Sequence, residues 1–349
     1  MTETTPLTRP EGESSSMSIT DRFHHVVLSH GRRVAVSSPG DLWTYAELDE
    51  RSTALACVIL DHLGQGEGVV ALLFEHGAPL VAAILGVLKA GRIYLALDAD
   101  DVASSTRAML ADAQVRLLLT DPPNAALARS VSGDSVQALV VSSDGATHLA
   151  GSACADVAPD AGAWLMYTSG STGSPKGVWQ SHRAVVHHAD VYRDLVQITQ
   201  EDRLSLLTSC GLAASATPLF TALLHGATLC PFHFRSQGAK RLAQWVRQQR
   251  VTVYQSVPTV FRHLVAAADR SSLDSLRLVR LGGETVRRSD IDAFRQHCPP
   301  EGVLMNALSS TETGLISAFL IDRHRTLPEG PISVGRPVRG VAVRLVDER

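Results

Sequence analysis

The segment Trp164 to Val178 reads WLMYTSGSTGSPKGV, and it constrains the chain more than any other. A strand-like apolar run, Trp164 to Tyr167, leads straight into hydroxyls and glycines closed by Pro175, Lys176 and Gly177. Glycines allow close backbone approach, hydroxyls and open N–H groups can surround anionic oxygens, and the lysine adds a mobile positive charge. Such a loop predicts a polyphosphate cradle delivered by a strand. It differs from the G-x-x-x-x-G-K-[ST] loop, because Lys176 stands between Pro175 and Gly177 with no hydroxyl after it.

The rest of the pattern says what kind of sheet carries the loop. Leu80, Ala83, Ile84, Val87 and Leu88 recur at helical spacing before Gly91, IYLAL follows as a strand, and Ser104–Ala113 reads as a helix. Further strands are expected at 116–120, 138–143, 227–230, 251–255, 276–281 and 303–306, and helices at 216–224, 239–249, 259–268 and 290–297. Strands alternating with helices predict an α/β protein with stacked, mostly parallel sheets flanked by helices. The last piece, VAVRLVDER, reads as a strand.

A length of 349 residues suffices for more than one packed unit, and 45% hydrophobic with 19% charged residues describes an ordinary globular chain. A net charge of −3 offers no attraction to nucleic acid or an anionic membrane, so the expected partner is a small molecule. Cys57, Cys154, Cys210, Cys230 and Cys298 are scattered singly, as expected of reduced thiols in a cytoplasm, and no apolar run is long enough to span a bilayer. Residues 1–20 contain MTETTPLTRPEGESSSMS, which lacks a signal-peptide core and reads as a disordered tail.

At YTSGSTGSPKG the chain resembles the adenylate-forming superfamily, and WTYAELDER, LKAGRIYLALD, ALLHGATL, LGGE, NALSSTETG and VGRPVRGVAVRLVDE resemble further family segments in the right order. LKAGRIYLALD and VGRPV are closest to the adenylation domains of nonribosomal peptide synthetases. The resemblance implies that core spans 21–349, with subdomains at roughly 21–180 and 181–330 and the start of a β-rich part at 331–349. It implies MgATP-dependent conversion of a carboxylic acid into an acyl-adenylate and pyrophosphate, followed by transfer to a carrier-protein or CoA thiol. The family continues with a ribose-binding aspartate, a hinge and a small domain carrying a further lysine, so this sequence reads as the large part of an incomplete catalytic unit. The alternative is a catalytically weak or inactive nucleotide- or acid-binding scaffold.

Residue by residue, the resemblance implies that Thr168, Ser169, Gly170, Ser171, Thr172, Gly173 and Lys176 hold the phosphates, with Thr311 contacting phosphate and Glu312 holding Mg²⁺. Lys176, Thr311 and Glu312 are the expected catalytic group, and Gly283, Glu284, Asn306, Ala307, Leu308 and Ser309 the expected nucleotide wall. Leu308 replaces the family's usual aromatic residue, and Ser309 and Ser310 its usual Gly-Pro, which removes a stacking contribution to ATP binding. The acid pocket is expected from Ala213, Ala214, Thr217, Gln255, Val279, Leu281, Ala307, Leu315 and Ile316. Ala213 matches the position where α-amino-acid enzymes of the family place an aspartate. A buried ammonium without a counter-charge would cost several kcal/mol. The expectation is therefore an acid other than an ordinary α-amino acid, with an uncharged hydroxy, keto, aryl or short fatty tail. His182, His187 and His188 are expected on a helix after the loop, packing or facing solvent.

Overall fold

In the computed structural model, residues 17–141, 155–168, 176–269 and 271–346 are described. The chain opens with α1 (Ile19–His30), the hairpin β1 (Val34–Ser38) and β2 (Asp41–Thr44), and α2 (Tyr45–Leu63). It continues as β3 (Val69–Leu73), α3 (Ala78–Lys89), β4 (Ile93–Ala96), α4 (Ala103–Asp112), β5 (Leu117–Thr120), α5 (Ala125–Ser132), β6 (Gln137–Val140), β7 (Gly162–Thr168) and β8 (Lys176–Ser181). Then come α6 (His182–Val196), β9 (Arg203–Leu206), α7 (Ala216–Leu224), β10 (Thr228–Pro231), α8 (Phe234–Gln248), β11 (Val253–Ser256) and α9 (Pro258–Ala267). The last elements are β12 (Leu278–Gly282), α10 (Arg288–His297), β13 (Val303–Ser310), β14 (Gly314–Ile321) and β15 (Arg336–Pro337).

The strands form two sheets, ordered β6-β5-β3-β4-β7-β8 and β15-β14-β13-β12-β11-β9-β10-β1-β2. The smaller sheet is parallel until β8, which returns antiparallel to β7. The larger has a parallel centre, β13 through β1, with antiparallel strands at both edges. The expected α/β architecture is what forms. Strands buried on both faces need apolar residues at every position. In β5, Leu117 and Leu119 enter the core shared by the two sheets, and Leu118 enters a separate core under α4 and α5.

The sheets do not divide the sequence at 180, because the β1–β2 hairpin pairs with β10 and belongs to the larger sheet. Tyr45 reinforces that crossing, its buried hydroxyl donating to the carbonyls of Ala222 and Ala227 at 3.0 and 2.7 Å. The charges of LKAGRIYLALD are structural. Lys89 is buried with Nζ 2.7 Å from Asp49 Oδ1, and Arg92 donates to the Glu67 and Gly64 carbonyls.

Two expectations are corrected. Residues 17–20 are part of the fold: Ser18 caps α1 through a capping box with Asp21, and Ile19 is fully buried. Ser-x-x-Asp before an apolar residue carries that signal, which composition alone conceals. At the other end, the described residues 341–346 form no strand, and Leu345 is 97% exposed. The only strand described within 331–346 is β15, two residues long. Among the described residues no helix is long and apolar enough to cross a membrane.

His182, the first residue of α6, packs rather than facing solvent, and its Nδ1 accepts the Ile19 N–H at 3.2 Å. Burial pulls its pKa from 6.5 down to about 4, only partly opposed by Asp21. Above pH 6.5 the ring is neutral in both folded and unfolded chain. As pH falls from 6.5 towards 4 the unfolded chain takes up a proton that the folded one refuses, so stability falls, by at most about 3 kcal/mol. Urea unfolding across that interval should show this loss, and His182→Asn, which does not titrate, should flatten part of the slope.

Candidate functional site

Thr168 and Lys176 are opposite each other at the end of the β7–β8 hairpin, with Thr168 Oγ1 3.5 Å from the Lys176 carbonyl oxygen. Lys176 is exposed. Ser169, Gly170, Ser171, Thr172 and Gly173, expected to hold phosphate, lie outside the described residues. The β8 strand then reaches the other half of the site. Gln180 Nε2 donates to the Thr311 carbonyl at 3.0 Å and lies 3.5 Å from that of Glu312. Gln180, missed by sequence reasoning, is therefore the tie between the hairpin bearing Lys176 and the turn bearing Thr311 and Glu312. Only its position four residues after the lysine on an alternating strand could have flagged it.

That turn is a three-residue connection between β13 and β14, with Ser310 paired to Gly314. Ser310 Oγ accepts the Thr313 N–H at 3.2 Å, and Gly314 takes φ +66° to close the hairpin. A Cβ at Gly314 would come within 2.8 Å of the His188 ring, so α6 packs directly beneath the turn. His187 and His188 stack edge to face, ring centroids 5.8 Å apart, and burial pulls His188 down to about 4. Both are packing residues. The Glu312 side chain is exposed and its carboxylate has no hydrogen bond or ion pair among the described residues.

The expected nucleotide wall is assembled at the ends of β12 and β13. Gly282 lies so close to β13 that a Cβ there would meet the Ala307 carbonyl oxygen at 2.8 Å, and Gly283 turns with φ +79°. Glu284 accepts from Thr259 Oγ1 at 2.7 Å and from Thr259 N at 3.2 Å, which fastens the turn to the start of α9. Asn306 is buried, and its amide donates to the Ser333 carbonyl at 2.8 Å. Leu308 is 43% exposed and Ser309 is exposed beside it, at a register shift in the β13–β14 ladder.

The acid-pocket residues divide between two faces of the large sheet. Ala213 and Ala214 form a short 3-10 turn leading into α7, with half-buried Thr217 in its first turn. Gln255 Nε2 donates to the Ala214 carbonyl at 2.9 Å. Ala307 and Leu315 are buried on this same side, and Ile316 is half-buried with its carbonyl accepting from Val338 N at 3.0 Å. Val279 and Leu281 are not brought together with them. Both are fully buried in the other core, among the side chains of α8, α9 and α10. Strand alternation sends 278 and 280 to one face and 279 and 281 to the other.

The residue of β12 on the Gln255 face is Arg280, which register pairs directly with Gln255. Arg280 is 4% exposed, donates from Nη1 to Gln255 Oε1 at 2.6 Å, and lies over the Tyr192 ring. A guanidinium therefore lies beside Gln255, on the face where Val279 and Leu281 were expected, and Gln255 uses both ends of its amide. No zinc-like cluster competes as a candidate centre, since no group of three or more His, Cys, Asp or Glu among the described residues could hold a metal ion. Cys210, Cys230 and Cys298 are buried thiols that burial pushes up to about 12, which disqualifies them as nucleophiles at neutral pH.

A cavity of about 640 Å³ lies elsewhere, at the carboxyl ends of β3, β4 and β5 and against the β1–β2 hairpin. Phe74, His76, Asp98, Asp121, Trp43 and Cys210 are among its lining, and none of the residues expected to bind nucleotide or acid is.

The sequence pattern of the AMP-binding enzymes matches residues 23–349. Bacitracin synthase 3 of Bacillus licheniformis is 30% identical over 329 residues, covering 90% of this chain and 5% of that protein. The L-proline–[L-prolyl-carrier protein] ligase of Streptomyces coelicolor is 31% identical over 341 residues, covering 88% of this chain and 62% of that one. The chain therefore spans a small part of the first relative and less than two thirds of the second. Among solved structures, the AMPPNP-bound nonribosomal peptide synthetase FmoA3 superposes with TM-score 0.84 at 26% identity, over 94% of this chain and 35% of that one. The N-terminal subdomain of Klebsiella oxytoca NpsA, in complex with 3-hydroxybenzoyl-AMSN, shares the fold, with TM-score 0.81 at 23% identity over 95% and 81% of the two chains.

The Gly314 turn is open to a direct test. Gly314→Ala adds both a left-handed strain and a contact with His188, and should lower stability by about 1–3 kcal/mol in denaturant unfolding. Unchanged stability would mean that α6 does not support the Thr311–Glu312 turn.

Proposed function

We propose that this chain, which belongs to the AMP-binding enzyme family, adenylates a carboxylic acid other than an ordinary α-amino acid. In this reading a carboxylate oxygen of the acid attacks the α-phosphorus of ATP, the bond to the β-phosphate oxygen breaks, and pyrophosphate leaves with the bonding pair. The acyl group is then passed from the adenylate to the thiol of a carrier protein or of CoA.

The observation that carries the reading is the hydrogen bond from Gln180 to the Thr311 carbonyl, which couples the hairpin ending in Lys176 to the turn bearing Glu312. Two anions have to meet in this reaction, so positive charge and donors are needed where charge accumulates. Lys176 and the hydroxyls of Thr168 and Thr311 are the described groups offered to the phosphates, with residues 169–173 completing the cradle. The exposed and unengaged Glu312 carboxylate fits Mg²⁺, which commonly takes one or two carboxylates and completes its shell with phosphate oxygens and water. Bound there, the ion would neutralise phosphate charge. Gly283, Glu284, Asn306, Ala307, Leu308 and Ser309 form the adenine side, where Leu308 offers an apolar rather than a stacking contact.

The acid would enter between the Ala213–Ala214 turn, Thr217, Gln255, Ala307 and Leu315. With no carboxylate at Ala213 to hold an α-ammonium, hydroxy, keto, aryl and fatty acids are favoured over amino acids. ATP–pyrophosphate exchange over a panel of these acids tests this. Exchange should be driven best by an acid without an α-ammonium, and Lys176→Ala and Glu312→Ala should each lower it by about 100-fold. An α-amino acid as the best substrate would overturn the argument from Ala213. Absence of exchange with every acid, together with absence of ATP binding in calorimetry, would make the chain a scaffold.

A further inference from the structure

Arg280 is the one feature of the pocket face that the acid-activation reading does not use. Its side chain lies between β11 and α6, 4% exposed, beside Gln255 and the Tyr192 ring. Among the described residues it donates one hydrogen bond, to Gln255 Oε1, and its Cζ is 5.3 Å from the centroid of the Tyr192 ring. No carboxylate among the described residues forms an ion pair with it. The contrast with Arg277, three residues earlier, is direct: that guanidinium has the Asp202 carboxylate at 2.7 Å. The Tyr192 hydroxyl beside Arg280 is also buried without a partner among the described residues.

A guanidinium stays charged under all ordinary conditions and presents five donors in a planar fork. Burying it without a counter-anion is strongly unfavourable, and a ring face replaces only part of the lost hydration. Burial accordingly lowers the pKa of Arg280. The bond chain links the guanidinium to the Ala213–Ala214 turn. Arg280 donates to Gln255, Gln255 donates to the Ala214 carbonyl, and Ala213 and Ala214 contribute no atom beyond Cβ to the turn. Where a carboxylate at 213 would present negative charge to an amino acid, this pocket presents positive charge from the neighbouring strands.

We propose that the acid accepted by this pocket carries a second carboxylate, and that Arg280 pairs with it, so that the substrate is a dicarboxylic acid. The inference rests on the acid-activation reading and narrows it. The second carboxylate supplies the missing counter-charge and two acceptor oxygens that match the fork. It also replaces the uncharged tail expected from sequence, which counted 279 and 281 as pocket positions and passed over 280.

Length-matched acids make the test: succinate against butanoate, and glutarate against pentanoate, in ATP–pyrophosphate exchange with wild type, Arg280→Met and Arg280→Lys. In the wild type the dicarboxylate should have the lower KM by at least about tenfold. Arg280→Met should abolish that preference, and Arg280→Lys, which keeps the charge and loses the fork, should retain part of it. The KM for ATP, read in the same assays, separates lost acid recognition from lost fold. Should Arg280→Met not fold, the Arg280→Lys ratio and the wild-type preference decide the matter. A wild-type preference for the monocarboxylates, or an unchanged ratio in Arg280→Met, would overturn the proposal while leaving acid activation standing. Exchange with no acid at all, and no ATP binding, would instead remove the reading beneath it.

Discussion

Parallel pairing is the constraint on which everything else here depends. A strand hydrogen-bonded in parallel with its neighbour ends at the same edge of the sheet as that neighbour. The carboxyl ends of β4 and β7 therefore lie at one edge of the smaller sheet, and those of β9, β11, β12 and β13 at one edge of the larger. The end of β7 at Thr168, the turn at Ala213 after β9, the Gly282–Gly283 turn after β12 and the end of β13 at Leu308 are all edge structures of this kind. Their apolar strands buy rigidity for loops whose own composition is polar and small.

Two sheets alone would leave those loops unrelated. Gln180 links them, reaching from β8 in the smaller sheet to the Thr311 carbonyl in the larger. Within the larger sheet, Tyr45 fastens the segment after the β1–β2 hairpin to both ends of the α7–β10 connection. Helix α6 underlies both halves, with His182 holding the start of α1 and His188 pressed beneath Gly314. The buried histidines are neutral wedges, and their depressed affinity for protons is the cost of using a polar ring as packing.

Charge in this molecule is mostly structural, which is why motif residues and functional residues do not coincide one for one. Lys89 and Arg92 belong to a segment that resembles a family signature, yet both are consumed by local carbonyls and Asp49. Glu284 belongs to another and caps α9. Arg280 belongs to no signature, and among the described residues its guanidinium has one hydrogen bond, to Gln255, and no carboxylate. Satisfaction of hydrogen bonds, and not membership of a motif, separates the groups that hold the fold from those that remain available to a ligand.

The sequence by itself determined the class of fold, a part of its strands and helices and the family, because periodicity and short loop motifs are local properties that survive being read one residue at a time. It also placed Lys176, Thr311 and Glu312 as a candidate set. It assigned residues 17–20 to a disordered tail, where a four-residue capping box outweighs a polar composition, and it read 341–349 as a strand, whereas the described residues 341–346 form none. Only the tertiary structure decided which face of β12 lies beside Gln255. Alternation says that 279 and 280 point opposite ways, but which way is fixed by the register with β11 and by the helices stacked on each side. That register put Val279 and Leu281 into the far core and turned Arg280 towards Gln255.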